Sequence, residues 1–277
     1  MPVPADWLQW PQHLRDAAYD NTAAVADSAA QLADFESRSA VLAARAVGDL
    51  DVRYGAAPRQ CFDYFSGQPG APTLLFIHGG YWQMRHKNTF RFVAQGALAH
   101  GLNAALIGYT LAPDATLGGI VQEVHEGIAA VRAHGLARGA SDQLLLCGWS
   151  AGGHLAAMGL ACEGVVAGLG MSGIYDLEPL RTTYLNRALQ LSDADVQCLS
   201  PQRLDVLDKP FVTAYGTAEL PQLQMQSLDF FKHRGSAQGT LVAVAGTNHF
   251  NILNALSAPD GELLAKLMAS ARLTHSS

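Results

Sequence analysis

Five residues, Gly148-Trp149-Ser150-Ala151-Gly152, join an apolar run, Gln143–Gly148, to a run of small residues, Ala151–Cys162. The first run predicts a buried strand and the second a helix, so the chain must reverse from one to the other within a single tight turn. A strand directly before and a helix directly after are the context this turn requires. The G-x-S-x-G pattern places small residues on both sides of Ser150, which lets strand and helix approach closely while the serine stands above the sheet edge. Its hydroxyl would also lie at a helix N-terminus, where free N–H groups favour developing negative charge.

The surrounding sequence repeats that strand and helix rhythm. Strand-like Cys61–Phe65 and Thr73–Ile77 precede a helix near Asn88–His100, strand Asn103–Tyr109 and helix Gly118–Ala137. Strand Val165–Met171 follows the central turn. Later come strand Phe211–Tyr215, helix Leu223–His233, strand Thr240–Ala245 and a helical region over Ile252–Leu273 broken near Pro259. This alternation predicts one α/β domain, a mostly parallel sheet covered on both faces. Residues 1–50, with Leu32, Phe35 and Leu42 at helical spacing, read as an N-terminal helical cover. The Pro-punctuated stretch 173–209 reads as a small cap-like insertion.

Composition narrows the partners. Of 277 residues, 49% are hydrophobic and 15% charged, and the formal net charge is −6. That balance excludes a disordered chain and offers no pull toward nucleic acid or an anionic membrane, so a small-molecule substrate is expected. The first residues show neither a basic stretch nor an apolar core of the kind found in secretory leaders, and no apolar run reaches bilayer length, which points to the cytoplasm. Cys61, Cys147, Cys162 and Cys198 lack metal-site or disulfide spacing and are expected to be buried thiols. The N-terminal segment fits either a cover over the site or a homodimer contact.

Further residues join the turn. His78-Gly79-Gly80-Tyr81-Trp82 ends an apolar strand, and its glycines allow N–H groups of Gly79, Gly80 or Tyr81 to turn inward with that of Ala151 toward an oxyanion. Among ten histidines, His249 occupies the loop after the last strand, where a general base belongs. The acid should lie between Ser150 and His249, after the strand before last. Glu219 meets that condition, while Asp176, Asp205 and Asp208 fall earlier. Trp82, Trp149 and Phe250, beside these motifs, are candidates to line an apolar substrate pocket. Two other patterns carry no site: Gly168–Gly173 lacks the helix a dinucleotide loop needs, and His125-Glu126 has Ala129 where a zinc helix places its second histidine. No metal or organic cofactor is called for.

With these motifs in hand, the chain resembles the α/β-hydrolases, and within them the kynurenine formamidases (arylformamidases) and related bacterial esterases, over about residues 60–260. The carriers are His78 to Trp82, Tyr109-Thr110-Leu111-Ala112-Pro113, Gly148 to Leu155, Ser172 to Leu180 and Asn248-His249-Phe250. The resemblance implies Ser150 as nucleophile, His249 as base, Glu219 as acid, and an arylformamidase-like activity on N-formylkynurenine. A carboxylesterase acting on short-acyl or aryl esters, or on another small amide, is the alternative. A non-catalytic ligand-binding protein is a remote one. In one respect the chain departs from the family: formamidases usually carry Asp followed by Ser-Pro-Glu, where this chain has Glu219-Leu220-Pro221-Gln222.

Overall fold

The computed structural model describes residues 6–272; the opening residues Met1–Ala5 and His275 in the tail lie outside them. Eight strands form one sheet: β1 (Gly48–Arg53), β2 (Cys61–Phe65), β3 (Thr73–Ile77), β4 (Asn103–Ile107), β5 (Leu144–Trp149), β6 (Val165–Met171), β7 (Phe211–Gly216) and β8 (Gly239–Val244). Their spatial order is β1-β2-β4-β3-β5-β6-β7-β8, antiparallel where β2 meets β1 and β4 and parallel elsewhere.

Residue alternation along the central strands builds two cores. Leu75 and Ile77 of β3 and Leu144 and Leu146 of β5 point to one face. Leu74, Phe76, Leu145, Cys147 and Trp149 point to the other. Because both faces are covered, these strands are buried along their whole length and need no polar residues, which is why they read as continuous apolar runs.

The helices are α1 (Gln12–Ala17), α2 (Asn21–Ala24), α3 (Ser28–Arg45), α4 (Ala94–Ala99), α5 (Leu117–Ala137), α6 (Ala151–Met158), α7 (Asn186–Leu189), α8 (Asp193–Leu199), α9 (Pro221–Gln238), α10 (Asn254–Ser257) and α11 (Glu262–Ser270). Helix α3 lays Phe35 on Phe92, with ring centroids 4.6 Å apart, as its apolar spacing predicts. The expected helical cover, however, ends at Arg45, and residues from Gly48 pair as strand β1. This edge strand is largely exposed and charged, so it carries no apolar run to read. The cysteine expectation also needs correction. Cys61 and Cys147 are buried, but Cys162 is half-buried and Cys198 exposed on the insertion; all four are free thiols. No helix among the described residues is long and apolar enough to cross a membrane.

The stretch 173–209 holds α7 and α8 between two 3-10 turns, and its side chains Tyr175, Leu180, Leu185 and Val196 are buried. It is joined to the N-terminal segment: the Trp7 indole donates to Thr182 Oγ1 (2.9 Å), and the Tyr184 N–H donates to Asp16 Oδ1 (2.7 Å). It also meets the loop after β3, where Gln83 Nε2 donates to the Leu185 carbonyl (3.0 Å).

Candidate active site

Ser150 sits between β5 and α6 with φ 56° and ψ −121°, a conformation costly for any residue with a side chain. Its N–H donates to the Met171 carbonyl at 2.8 Å, which ties the turn to β6. The flanking glycines are required by contact. A Cβ on Gly148 would collide with the Gly152 carbonyl, and one on Gly152 with the Ile77 carbonyl of β3. Ser150 is 1% exposed.

Next to it runs the loop after β3. A Cβ placed on Gly79 would lie 2.8 Å from Ser150 Cβ, so the loop backbone abuts the serine. Gly80, Tyr81 and Trp82 all take positive φ (112°, 50° and 59°). Among the described residues, the N–H groups of Gly79, Gly80 and Tyr81 donate to no other group. The Ala151 N–H, at the first position of α6, has no intrahelical acceptor. Four donors are thus left open on Ala151 and on the loop that abuts Ser150.

His78 braces the start of this loop. Its Nδ1–H donates to the Gly79 carbonyl (2.7 Å), and its ring stacks on Tyr109 with centroids 4.4 Å apart. Burial pushes the His78 imidazole down to about 3, and that of His154 in α6 down to about 4. Both are neutral when folded and titrate near 6.5 when unfolded. Between those values the unfolded chain binds more protons, so stability rises with pH across this window and is lost as pH falls below about 6.5. The urea midpoint should therefore drop between pH 6.5 and 4, with about 3 kcal/mol traceable to His154 by pH 4. A His154→Gln variant should show a shallower acid limb; an unchanged limb would remove His154 as its cause.

His249 is delivered by the loop after β8. Asn248 Oδ1 accepts from the N–H groups of Phe250 (2.9 Å) and Asn251 (3.0 Å), folding that loop into a side-chain-capped turn. The Trp149 indole donates to the His249 carbonyl at 2.6 Å. Glu219, in the loop after β7, meets His249 Nδ1 through Oε2 at 3.1 Å. Its other oxygen, Oε1, accepts from the Gly216 N–H and from Ser172 Oγ, each at 2.6 Å. The carboxylate is fully buried and partnered at both oxygens. Of the rival acids, Asp176 pairs with Arg203, and Asp208 accepts from Gln238.

The three aromatic residues expected to face a substrate are buried beside the motif residues. Trp82 is 0% exposed, its ring edge-on to His154 at 5.0 Å. Trp149 serves the His249 loop, and Phe250 is buried against Trp149 in the second core. Packing claims these side chains because each follows immediately on a motif residue whose backbone must be held. Ser172, which sequence reasoning passed over, sits at φ 52° at the end of β6 and grips Glu219. No group of His, Cys, Asp and Glu among the described residues is arranged to hold a metal.

Known proteins share this architecture and sequence. A BD-FAE family model matches residues 65–168. The kynurenine formamidase of Danio rerio is 30% identical over 240 residues, 79% of this chain and 80% of its own length. The chain belongs to the kynurenine formamidase family. The formamidase of Salmo salar is likewise 30% identical, over 79% of this chain and 81% of its own. A solved structure from Silicibacter sp. TM1040 superposes with a TM-score of 0.83 at 26% identity, covering 91% of this chain and 98% of that one. Esterase B of Lactobacillus rhamnosis superposes with a TM-score of 0.70 at 22% identity, over 90% and 97%. As a kynurenine formamidase family member, the chain is a hydrolase of the α/β-hydrolase fold.

Proposed function

We propose that this formamidase family member is a serine hydrolase that cleaves N-formyl aryl amides of the N-formylkynurenine type through an acyl-enzyme, with Ser150 as nucleophile, His249 as base and Glu219 as acid. The observation that carries this reading is the buried His249–Glu219 pair, packed on the ring of Trp149, which immediately precedes a serine in a strained strand-to-helix turn, with open N–H donors on the adjoining loop.

In this mechanism Ser150 Oγ attacks the formyl carbon while His249, through the ring nitrogen opposite Glu219, takes its proton. The oxyanion is received by N–H groups of Ala151 and of the Gly79–Tyr81 loop, worth a hundredfold or more in rate per donor on the order-of-magnitude scale of such sites. The tetrahedral intermediate collapses as His249 returns the proton to the leaving aryl amine. Water then attacks the formyl ester, losing its proton to His249, and formate leaves as Ser150 is regenerated. Ser150 and His249 are 1% and 3% exposed, and we place residues 173–209 and the N-terminal segment as their cover. The cytoplasm is the compartment in which we place the reaction.

A carboxylesterase would use the same three residues, and the fold shared with esterase B keeps that reading in view. Parallel kcat/KM measurements with N-formylkynurenine and p-nitrophenyl acetate decide between them. The formamidase reading predicts higher kcat/KM for the formyl amide; negligible amide cleavage beside rapid ester cleavage would overturn it.

A further inference from the structure

The loop after β3 carries its positive-φ run on two bulky aromatic residues, a conformation that persists only where surrounding contacts impose it. Trp82 is held from within the domain, its carbonyl accepting from the Ala112 N–H (2.8 Å) and its ring lying against His154. Tyr81 is held from elsewhere. Its hydroxyl donates to the Tyr19 carbonyl at 2.6 Å and accepts from Asn21 Nδ2 at 2.9 Å. Tyr19 and Asn21 are themselves buried, 0% and 5% exposed, and lie some sixty positions away in sequence. Tyr19 is fixed in turn by the edge of the Trp7 ring (6.0 Å) and by Gln226 of α9, whose Nε2 donates to the Tyr19 hydroxyl at 3.4 Å.

We propose that Asn21 and the Tyr19 carbonyl are positioning groups for the reaction: by clamping the Tyr81 hydroxyl they hold the loop whose open N–H groups receive the oxyanion. The inference rests on the assignment of that loop as the oxyanion site. No atom of the clamp touches substrate; it acts through the backbone of Tyr81, one bond path away from the donors. A loop freed from the clamp would relax toward ordinary φ and turn its N–H groups off the oxyanion. Such a change weakens the transition state and leaves ground-state binding alone, so it appears in kcat and not in KM.

Two variants remove the clamp without emptying the core: Tyr81→Phe deletes the hydroxyl and keeps the ring, and Asn21→Ala deletes one donor. Each is expected to lower kcat about tenfold, part of the loss caused by removing a donor outright, with KM within about twofold. The rate of Ser150 modification by a fluorophosphonate should fall by the same factor, because its phosphoryl oxygen uses the same donors. The double variant should be no slower than Tyr81→Phe alone, since Asn21→Ala breaks one of the two hydrogen bonds that Tyr81→Phe already removes. Wild-type kcat in both single variants would overturn the clamp, as would a loss confined to KM, additive losses, or a rate loss that follows a fall in Tm. Ser150→Ala is measured alongside: if it retains activity, the oxyanion assignment itself fails, whereas an inactive Ser150→Ala beside unimpaired clamp variants refutes the clamp alone.

Discussion

Ser150→Ala lowers kcat on the order of a millionfold while the protein folds with unchanged Tm; this is the largest effect expected of any single substitution. The magnitude follows from the route: without Oγ no acyl-enzyme forms, and neither His249 nor the open donors supply a substitute nucleophile. Alanine relieves nothing in the turn, because the strain at φ 56° belongs to any residue with a Cβ. Residual activity above the uncatalysed rate is expected from the oxyanion donors alone. Steady-state hydrolysis and thermal melting on the same preparation check both halves, and a variant with more than about a hundredth of wild-type kcat would move the nucleophile elsewhere.

Glu219→Gln comes second, with a loss of about ten-thousandfold in kcat. The structure determines which way the new amide must face. Two donors, the Gly216 N–H and Ser172 Oγ, converge on the Oε1 position, so the amide oxygen has to occupy it. The amide NH2 then points at His249 Nδ1, which can only accept from it. That fixes the ring proton on the opposite nitrogen, the one that must take the proton from Ser150, and the base is lost though the geometry is kept. Ser172→Ala should restore nothing in that background, because the Gly216 N–H, which can only donate, still holds the amide oxygen at this position. Equal kcat for Glu219→Gln and wild type would reassign the acid.

The parts of this site that could be read in the sequence are those fixed by local geometry. Gly148 and Gly152 are dictated by backbone collisions across a single turn, the glycines after β3 by a loop that must bend, and His249 and Glu219 by following successive parallel strands. Central strands such as β3 and β5 were legible because burial on both faces leaves them nothing but apolar residues. What escaped depends on long-range contact. Ser172 reaches Glu219 across the gap between β6 and β7, and serine in a strand-end turn has many other uses. Asn21 and Tyr19 meet Tyr81 only once the N-terminal segment has folded back, and no periodicity announces a carbonyl as an anchor. The packing of Trp82 and Trp149 was illegible for a related reason: proximity to a motif does not say whether a ring faces the ligand or wedges the backbone behind it.

Site-mapped labelling by a fluorophosphonate tests most directly whether Ser150, driven by the His249–Glu219 pair, is the reactive centre of this formamidase family member. Tandem mass spectrometry should find the adduct on Ser150 in the wild type, forming on the order of a thousandfold or more slowly in His249→Ala. An adduct on any other residue, or an unlabelled Ser150 in protein that still turns over substrate, would contradict it.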